Sequence, residues 1–189
     1  SKTSAGSESW YGITSSADGT KLAAIVSYGH IWTSKNSGLT WTEHVIGGAA
    51  YKKWSGITSS ANGEKLAAVV QDGNIWTSVD SGLNWTERVV GGATKQFHGI
   101  TSSANGMKLF ATVRGGKIWK SVNSGVNWTS VGATKIWQGI TSSTDGMKLA
   151  AVVGVDDPFA NDPDYGNIWT SVDSGESWTE RTVGDGNNS

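Results

Sequence analysis

The sequence predicts an all-β protein, a four-bladed β-propeller with four antiparallel strands in each blade. Three observations carry that expectation. The chain repeats itself four times at a period of about 40 residues, Gly-containing turn signals recur within each repeat, and the apolar positions lack helical spacing. Among 189 residues there are 26 glycines, 11 tryptophans and 2 prolines, a composition of tight turns joining short aromatic strands.

The repeat is anchored on Gly-Ile-Thr-Ser-Ser. Counted from the aromatic residue two places earlier, the units begin at Trp10, Trp54, Phe97 and Trp137, at spacings of 44, 43 and 40 residues. They occupy about residues 10–53, 54–96, 97–136 and 137–184 of a single domain, with an insertion at 155–166 in the last. The opening strand turns at Ala-Asp-Gly, Ala-Asn-Gly or Thr-Asp-Gly, and such pairs between apolar runs signal a hairpin because they tolerate positive φ. The second strand is a run such as Leu66–Val70. It does not alternate, so it is expected to be covered on both faces. A loop of variable sequence leads to the third strand, Ile-Trp-Thr-Ser or Ile-Trp-Lys-Ser. The fourth strand alternates, with Trp85, Glu87 and Val89 pointing one way and Thr86, Arg88 and Val90 the other. One such sheet cannot cover its own faces, so units stack around an axis.

The corner before the fourth strand has its own chemistry. An Asp or Asn side chain accepts hydrogen bonds from the backbone of its turn, a glycine takes the left-handed conformation without steric cost, and an indole fills the space beneath. The segments Ser34–Trp41, Ser78–Trp85, Ser121–Trp128 and Ser171–Trp178 resemble the Asp-box, Ser-x-Asp-x-Gly-x-Thr-Trp, of sialidase-like and related β-propellers. Asn36 and Asn123 replace the aspartate, and Asn84 and Asn127 replace the threonine that Thr40 retains. The resemblance implies a scaffold role for these residues. Trp32, Trp76, Trp119 and Trp169 on the third strands, and Trp41, Trp85, Trp128 and Trp178 after the corners, are accordingly expected to be packing residues.

Bulk properties exclude several functions. The net charge of −1 gives no long-range attraction to nucleic acid or an anionic membrane, and no apolar run is long enough for a membrane span. The start, Ser1–Trp10, lacks the basic and apolar pattern of a signal sequence. Cysteine is absent, which rules out disulfides and thiolate metal sites and leaves the compartment open.

Function is expected on one face. The turns between first and second strands are nearly uniform, whereas the loops between second and third strands and the links between units vary. Three repeat-equivalent sets converge on that variable face. They are Trp10, Trp54, Phe97 and Trp137; Tyr11, His98 and Gln138, with Ser55; and His30, Asn74, Lys117 and Asn167. Aromatic walls beside amide and imidazole groups suit a sugar ring, so the reading is a non-catalytic, lectin-like module with repeated glycan sites between blades, strengthened by multivalency. The alternative is a protein-binding or assembly scaffold, favoured by the single long insertion. A hydrolase is the third option. The sialidase reaction that the resemblance brings with it needs a triad of arginines, and Arg88, Arg114 and Arg181 are too scattered to form one. No cofactor is expected. Asp156, Asp157, Asp162 and Asp164 in the insertion offer oxygen ligands of the kind calcium takes, without EF-hand spacing. That acidic insertion could instead neutralise Lys52, Lys53, Lys95 and Lys135 on the links. The Asn-Trp-Thr sequences at Asn84 and Asn127 match the glycosylation pattern but fall in packed corners. As to assembly, the expectation is a ring closed within one chain by stacking the unit of Trp10 on that of Trp137, a homodimer being the alternative.

Overall fold

The computed structural model describes residues 7–48, 51–154 and 167–181; the insertion, with its four aspartates and both prolines, lies outside them. The described residues form strands and turns with no helix, and the strands of the four sequence units join in one connected sheet. Unit one contains β1 (Trp10–Ser15), β2 (Leu22–Gly29), β3 (Ile31–Ser34) and β4 (Thr42–His44). Unit two contains β5 (Lys52–Ser59), β6 (Leu66–Gly73), β7 (Ile75–Ser78) and β8 (Thr86–Arg88). Unit three is β9 (Lys95–Ser102), β10 (Leu109–Ser121) and the start of β11 (Thr129–Ser142). Unit four continues from β11 through β12 (Leu149–Val153), β13 (Ile168–Ser171) and β14 (Thr179–Arg181). Every pairing is antiparallel; within a unit each strand is bonded to the next, as in Leu22↔Ser34 and Trp32↔Glu43, while β2 pairs with β5 and β6 with β9 to join the first three units.

Two boundaries differ from expectation. The third unit's variable loop is a bulge rather than a loop, with Gly115 at φ 66°, so second and third strands run together as β10. The shorter spacing between units three and four leaves no room for a separate turn, and β11 serves both.

The corners are held alike in all four units. Ser78 Oγ accepts from Gly82 N at 3.0 Å and donates to Asp80 Oδ1 at 2.8 Å, Asp80 Oδ1 accepts from Asn84 N at 2.9 Å, and Trp85 Nε1 donates to the Gly82 carbonyl at 3.0 Å. Asn36 does the same work, accepting from Thr40 N at 2.9 Å. The backbone requires two left-handed residues here, not one: Ser37, Ser81, Ser124 and Ser174 stand at φ 55–59° immediately before the glycines. The corners and the first hairpin turns lie side by side, because Ser37 N, Ser81 N, Ser124 N and Ser174 N donate to Thr20, Glu64, Met107 and Met147 carbonyls. On that uniform face Met107 Sδ accepts from Lys65 Nζ at 3.3 Å, and Met147 Sδ from Lys108 Nζ at 3.1 Å.

The seams between units are apolar and close. Trp54 packs with Ile25, Ile31 and Ile46 of unit one. Phe97 packs with Val69, Ile75 and Val90 of unit two, and Trp137 with Phe110 and Ile118 of unit three. The innermost strands approach so nearly that a Cβ on Gly99 would lie 2.9 Å from the Gln138 carbonyl, which explains glycine at that position. The second strands of the first three units are covered on both faces as expected, Ala68 and Val69 being fully buried, whereas Val152 in the fourth is 42% exposed.

Closure within the chain is not what the structure contains. β1 packs against β2 and β5, and no comparable contact among the described residues joins it to β11–β14. Trp10 is 41% exposed where Trp54, Phe97 and Trp137 are at most 2% exposed. The sheets form an open arc.

Candidate functional site

The three aromatic equivalents Trp54, Phe97 and Trp137 lie inside seams, their faces covered by the preceding unit, and present nothing to a solute. Trp10 differs only because no unit precedes it among the described residues. The residues that follow them link units through carbonyls. Ser55 Oγ donates to the Phe97 carbonyl at 2.8 Å, and His98 Nδ1 lies 3.1 Å from the Gln138 carbonyl, to which its N–H donates. Tyr11, on the open end, is 54% exposed. In the third set, Asn74 Nδ2 donates to Glu87 Oε1 at 3.0 Å, and Asn167 Nδ2 donates to Glu180. Lys117 is exposed. The aromatics Trp54, Phe97 and Trp137 are thus drawn into the seams, and Ser55, His98, Asn74 and Asn167 each spend a polar side-chain atom on the fold.

The link lysines have a defined partner. Lys52 Nζ stands 5.2 Å from the centre of the Trp76 ring, Lys95 Nζ 5.1 Å from Trp119, and Lys135 Nζ 4.3 Å from Trp169. Each comes two residues before its unit's opening aromatic and covers the indole of that same unit, drawn to the negative ring face. Position two before Trp10 breaks the rule, because it holds Glu8. The indole of Trp32 has no cation over it among the described residues.

At that place the structure has an open cleft of about 460 Å³. Its walls include Trp32, Glu8, Glu43, His30, Tyr28 and Tyr51. The two tyrosines are 61% and 69% exposed, and the His30 ring lies 5.2 Å from that of Tyr51, tilted by 43°. Neither carboxylate has a hydrogen bond or ion pair among the described residues. Tyr28 is held at φ 53°, where unit two has Asp72 and unit three Gly115. A tyrosine in the left-handed region costs about 1–3 kcal/mol and marks a conformation imposed by its surroundings. Lys53 Nζ reaches the Tyr28 ring at 5.8 Å, so the cleft already attracts a cation from the chain itself.

Two shallower clefts repeat along the outer rim. One, of about 370 Å³, runs past Glu43, His44, Asn84 and Trp85; its equivalent, about 390 Å³, runs past Glu87, Arg88, Asn127 and Trp128. Their polar groups are largely satisfied internally: Arg88 Nε donates to Thr77 Oγ1 at 3.0 Å, Asn84 Nδ2 to Asp80 Oδ2 at 2.7 Å, and His44 Nε2 pairs with Thr33 Oγ1 at 2.8 Å. Burial, followed by the charge of Lys35, pushes His44 below its ordinary pKa. Hydrogen bonds from the Ser177 hydroxyl and amide hold the Asp173 carboxyl at about 2, and those from Ser16 and Thr20 do the same for Asp18. The two aspartate shifts follow from turn architecture, away from the cleft.

Sequence reasoning missed Tyr28, Tyr51, Glu8 and the significance of Trp32. One signal was available: Glu8 is the sole departure from lysine in a position otherwise constant across the repeats. Among the described residues no group of three or more histidines or acidic residues could hold a metal. Among the described residues no helix is long and apolar enough to cross a membrane.

No protein-family model matches the chain, and no curated protein does. Solved structures do match in fold. The GH74 enzyme of Niastella koreensis superposes with a TM-score of 0.74 at 18% identity, over 95% of this chain and 31% of that one. YCF48 bound to D1 peptide gives 0.69 at 12% identity, over 95% of this chain and 55% of that one. A chain of the nidogen–laminin complex gives 0.65 at 16%, over 90% and 62%. The chain thus spans less than two thirds of the length of each. These are β-propeller proteins, and the likeness establishes that this chain has the β-propeller fold.

Proposed function

We propose that the chain is a non-catalytic binding module whose first unit takes a lysine or arginine side chain from a partner protein. The observation that supports this reading is the exchange of lysine for Glu8 beside Trp32. Three units complete their indole with an internal ammonium, while the first offers the same ring face together with two unpaired carboxylates. A cation over such a face gains about 0.5–2 kcal/mol according to its desolvation, and the carboxylates select for positive charge. The tyrosines supply walls for the aliphatic stem. That two of the similar propellers are solved with a peptide or a protein partner agrees with it. Repeated glycan sites have less support, since the rim clefts spend their polar groups on their own strands.

The test is titration with a short lysine-containing peptide and with its Nε-acetylated form, read by intrinsic fluorescence. The charged peptide is expected to bind and the acetylated one to lose at least about tenfold in affinity. Glu8→Lys, which restores the internal cation, is expected to abolish binding with the fold intact. Equal binding of both peptides, or binding only to glycans, rejects the proposal.

A second reading has one observation in its favour. Glu8 and Glu43 share a cleft, as the paired carboxylates of glycoside hydrolases do, and GH74 enzymes share the fold. Release of reducing ends from a polysaccharide, lost in both Glu8→Gln and Glu43→Gln, would establish it.

A further inference from the structure

The interior seams define what covers each face of a unit, and the two ends of the arc lack that cover. At each interior seam the earlier unit donates forward. Ala17 N donates to the Ala61 carbonyl at 2.7 Å, Ala61 N to Ala104 at 2.7 Å, and Ala104 N to Thr144 at 2.8 Å. The series stops there: Thr144 N has no acceptor and the Ala17 carbonyl no donor among the described residues. Lysines run alongside. Lys21 Nζ donates to the Asn62 carbonyl at 2.9 Å, Lys65 Nζ to that of Asn105 at 3.1 Å, and Lys108 Nζ to Ser174 Oγ at 3.2 Å, while Lys148, the fourth of the set, is exposed and has no side-chain partner among the described residues.

The apolar surfaces tell the same story. Ile25, Val69 and Thr112 are wholly buried against the following unit, and their equivalent Val152 is 42% exposed. Facing backwards, Ile100 is 8% exposed, while its equivalent Ile13 in unit one is 65% exposed. The leading face of unit four and the trailing face of unit one are thus the two halves of one seam, held apart. They are also complementary in charge, because Lys148 leads and Asp18 trails, at positions related as Lys108 is to Asp145 at the interior seam between units three and four.

We infer that a second copy of this chain covers both ends, head to tail, so that two arcs close a ring through two new seams of the interior kind. The interface is heterologous and is used twice, which closes the assembly on a two-fold axis. It leaves the Trp32 cleft open on its lysine side, since at Trp76 the preceding unit contributes Gly47 while the cation comes from Lys52 of the same unit.

Light scattering on the 189-residue chain, from micromolar to near-millimolar concentration, tests this. A discrete species at twice 19.8 kDa is expected. A monomer throughout overturns the proposal, and so does a mass that climbs without limit, which would mean an open filament. Ile13→Arg and Val152→Arg change exposed side chains at opposite ends, so circular dichroism should be unaltered. Either alone is expected to weaken the dimer at least about a hundredfold, because each seam uses both faces. If one of them leaves the mass unchanged, the contact is not head to tail. Lys148→Glu should weaken association about tenfold, and adding Asp18→Asn, an amide already used at Asn62, should recover most of that loss. Failure of this rescue removes the proposed pairing of the two ends.

Discussion

Units one and two are nearly the same sequence in different surroundings. Trp54 is 2% exposed and Trp10 is 41% exposed; Trp76 lies beneath Lys52, and Trp32 faces an open cleft beside Glu8. The lesson is that a repeat motif specifies a local shape, while the neighbour specifies what that shape does. The same indole is a filler where a unit precedes it and a surface where none does.

The largest effect separating the two comes from their opening aromatics. Trp54→Ala should cost about 3–5 kcal/mol by urea unfolding, the usual loss for a fully buried aromatic. In the monomer, at concentrations too low for pairing, Trp10→Ala should cost a clear fraction of that, because Trp10 is 41% exposed there. Equal losses would mean that Trp10 is covered in solution. That result would also favour the paired assembly.

Acid should come next. Asp18, Asp80, Asp145 and Asp173 all sit below their ordinary value in the folded chain, held by hydrogen bonds to the ionised form. Groups depressed on folding contribute fully above their unfolded pKa and lose that contribution as pH falls through the folded value. For Asp18 and Asp173 the window runs from 3.8 to about 2. Denaturation midpoints should drop across that window. Asp173→Asn should flatten the drop while preserving the fold at neutral pH, since Asn36 and Asn123 already serve in the same corner.

The cation exchange is smaller and reciprocal. Glu8→Lys should add about 0.5–1 kcal/mol, and Lys52→Glu should remove a similar amount while opening the Trp76 face. Unfolding curves of the two variants against the parent decide it. Smallest of all is His44, where unit two has Arg88 and unit four Arg181, both donating to a third-strand threonine. Its pKa is lowered on folding, so its contribution is fully present above 6.5 and is lost as pH falls below that through the lower folded value. His44→Arg should make stability between pH 8 and pH 5 level, as measured by denaturant midpoints.

The architecture was largely legible from the chain. Asp-Gly and Asn-Gly turns, the buried Leu66–Val70 run and the indoles of the corners each follow from a local rule, and each unit repeats the rule. The left-handed serines were not legible, because nothing in a serine side chain announces positive φ. Nor was the open arc, since Ile13 and Ile100 are the same residue in the same motif and differ only in what lies against them. The site was legible least. Repetition drew attention to equivalent positions in every unit, such as those of Trp54 and His98, and at these two the fold uses the side chain. Glu8 matters because it departs from the series, and Tyr28 because it occupies a turn position filled elsewhere by aspartate or glycine.

The uniform face has a chemical consequence. The chain contains two methionines and no cysteine, and both thioethers sit at the rim, 40% exposed, as acceptors for lysine ammonium groups. Peroxide converting them to sulfoxides would replace a weak acceptor by a stronger one where a donor already waits, and would leave the apolar seams untouched. The interior holds no sulfur, so this protein should keep its shape under oxidative conditions that unravel methionine-packed cores.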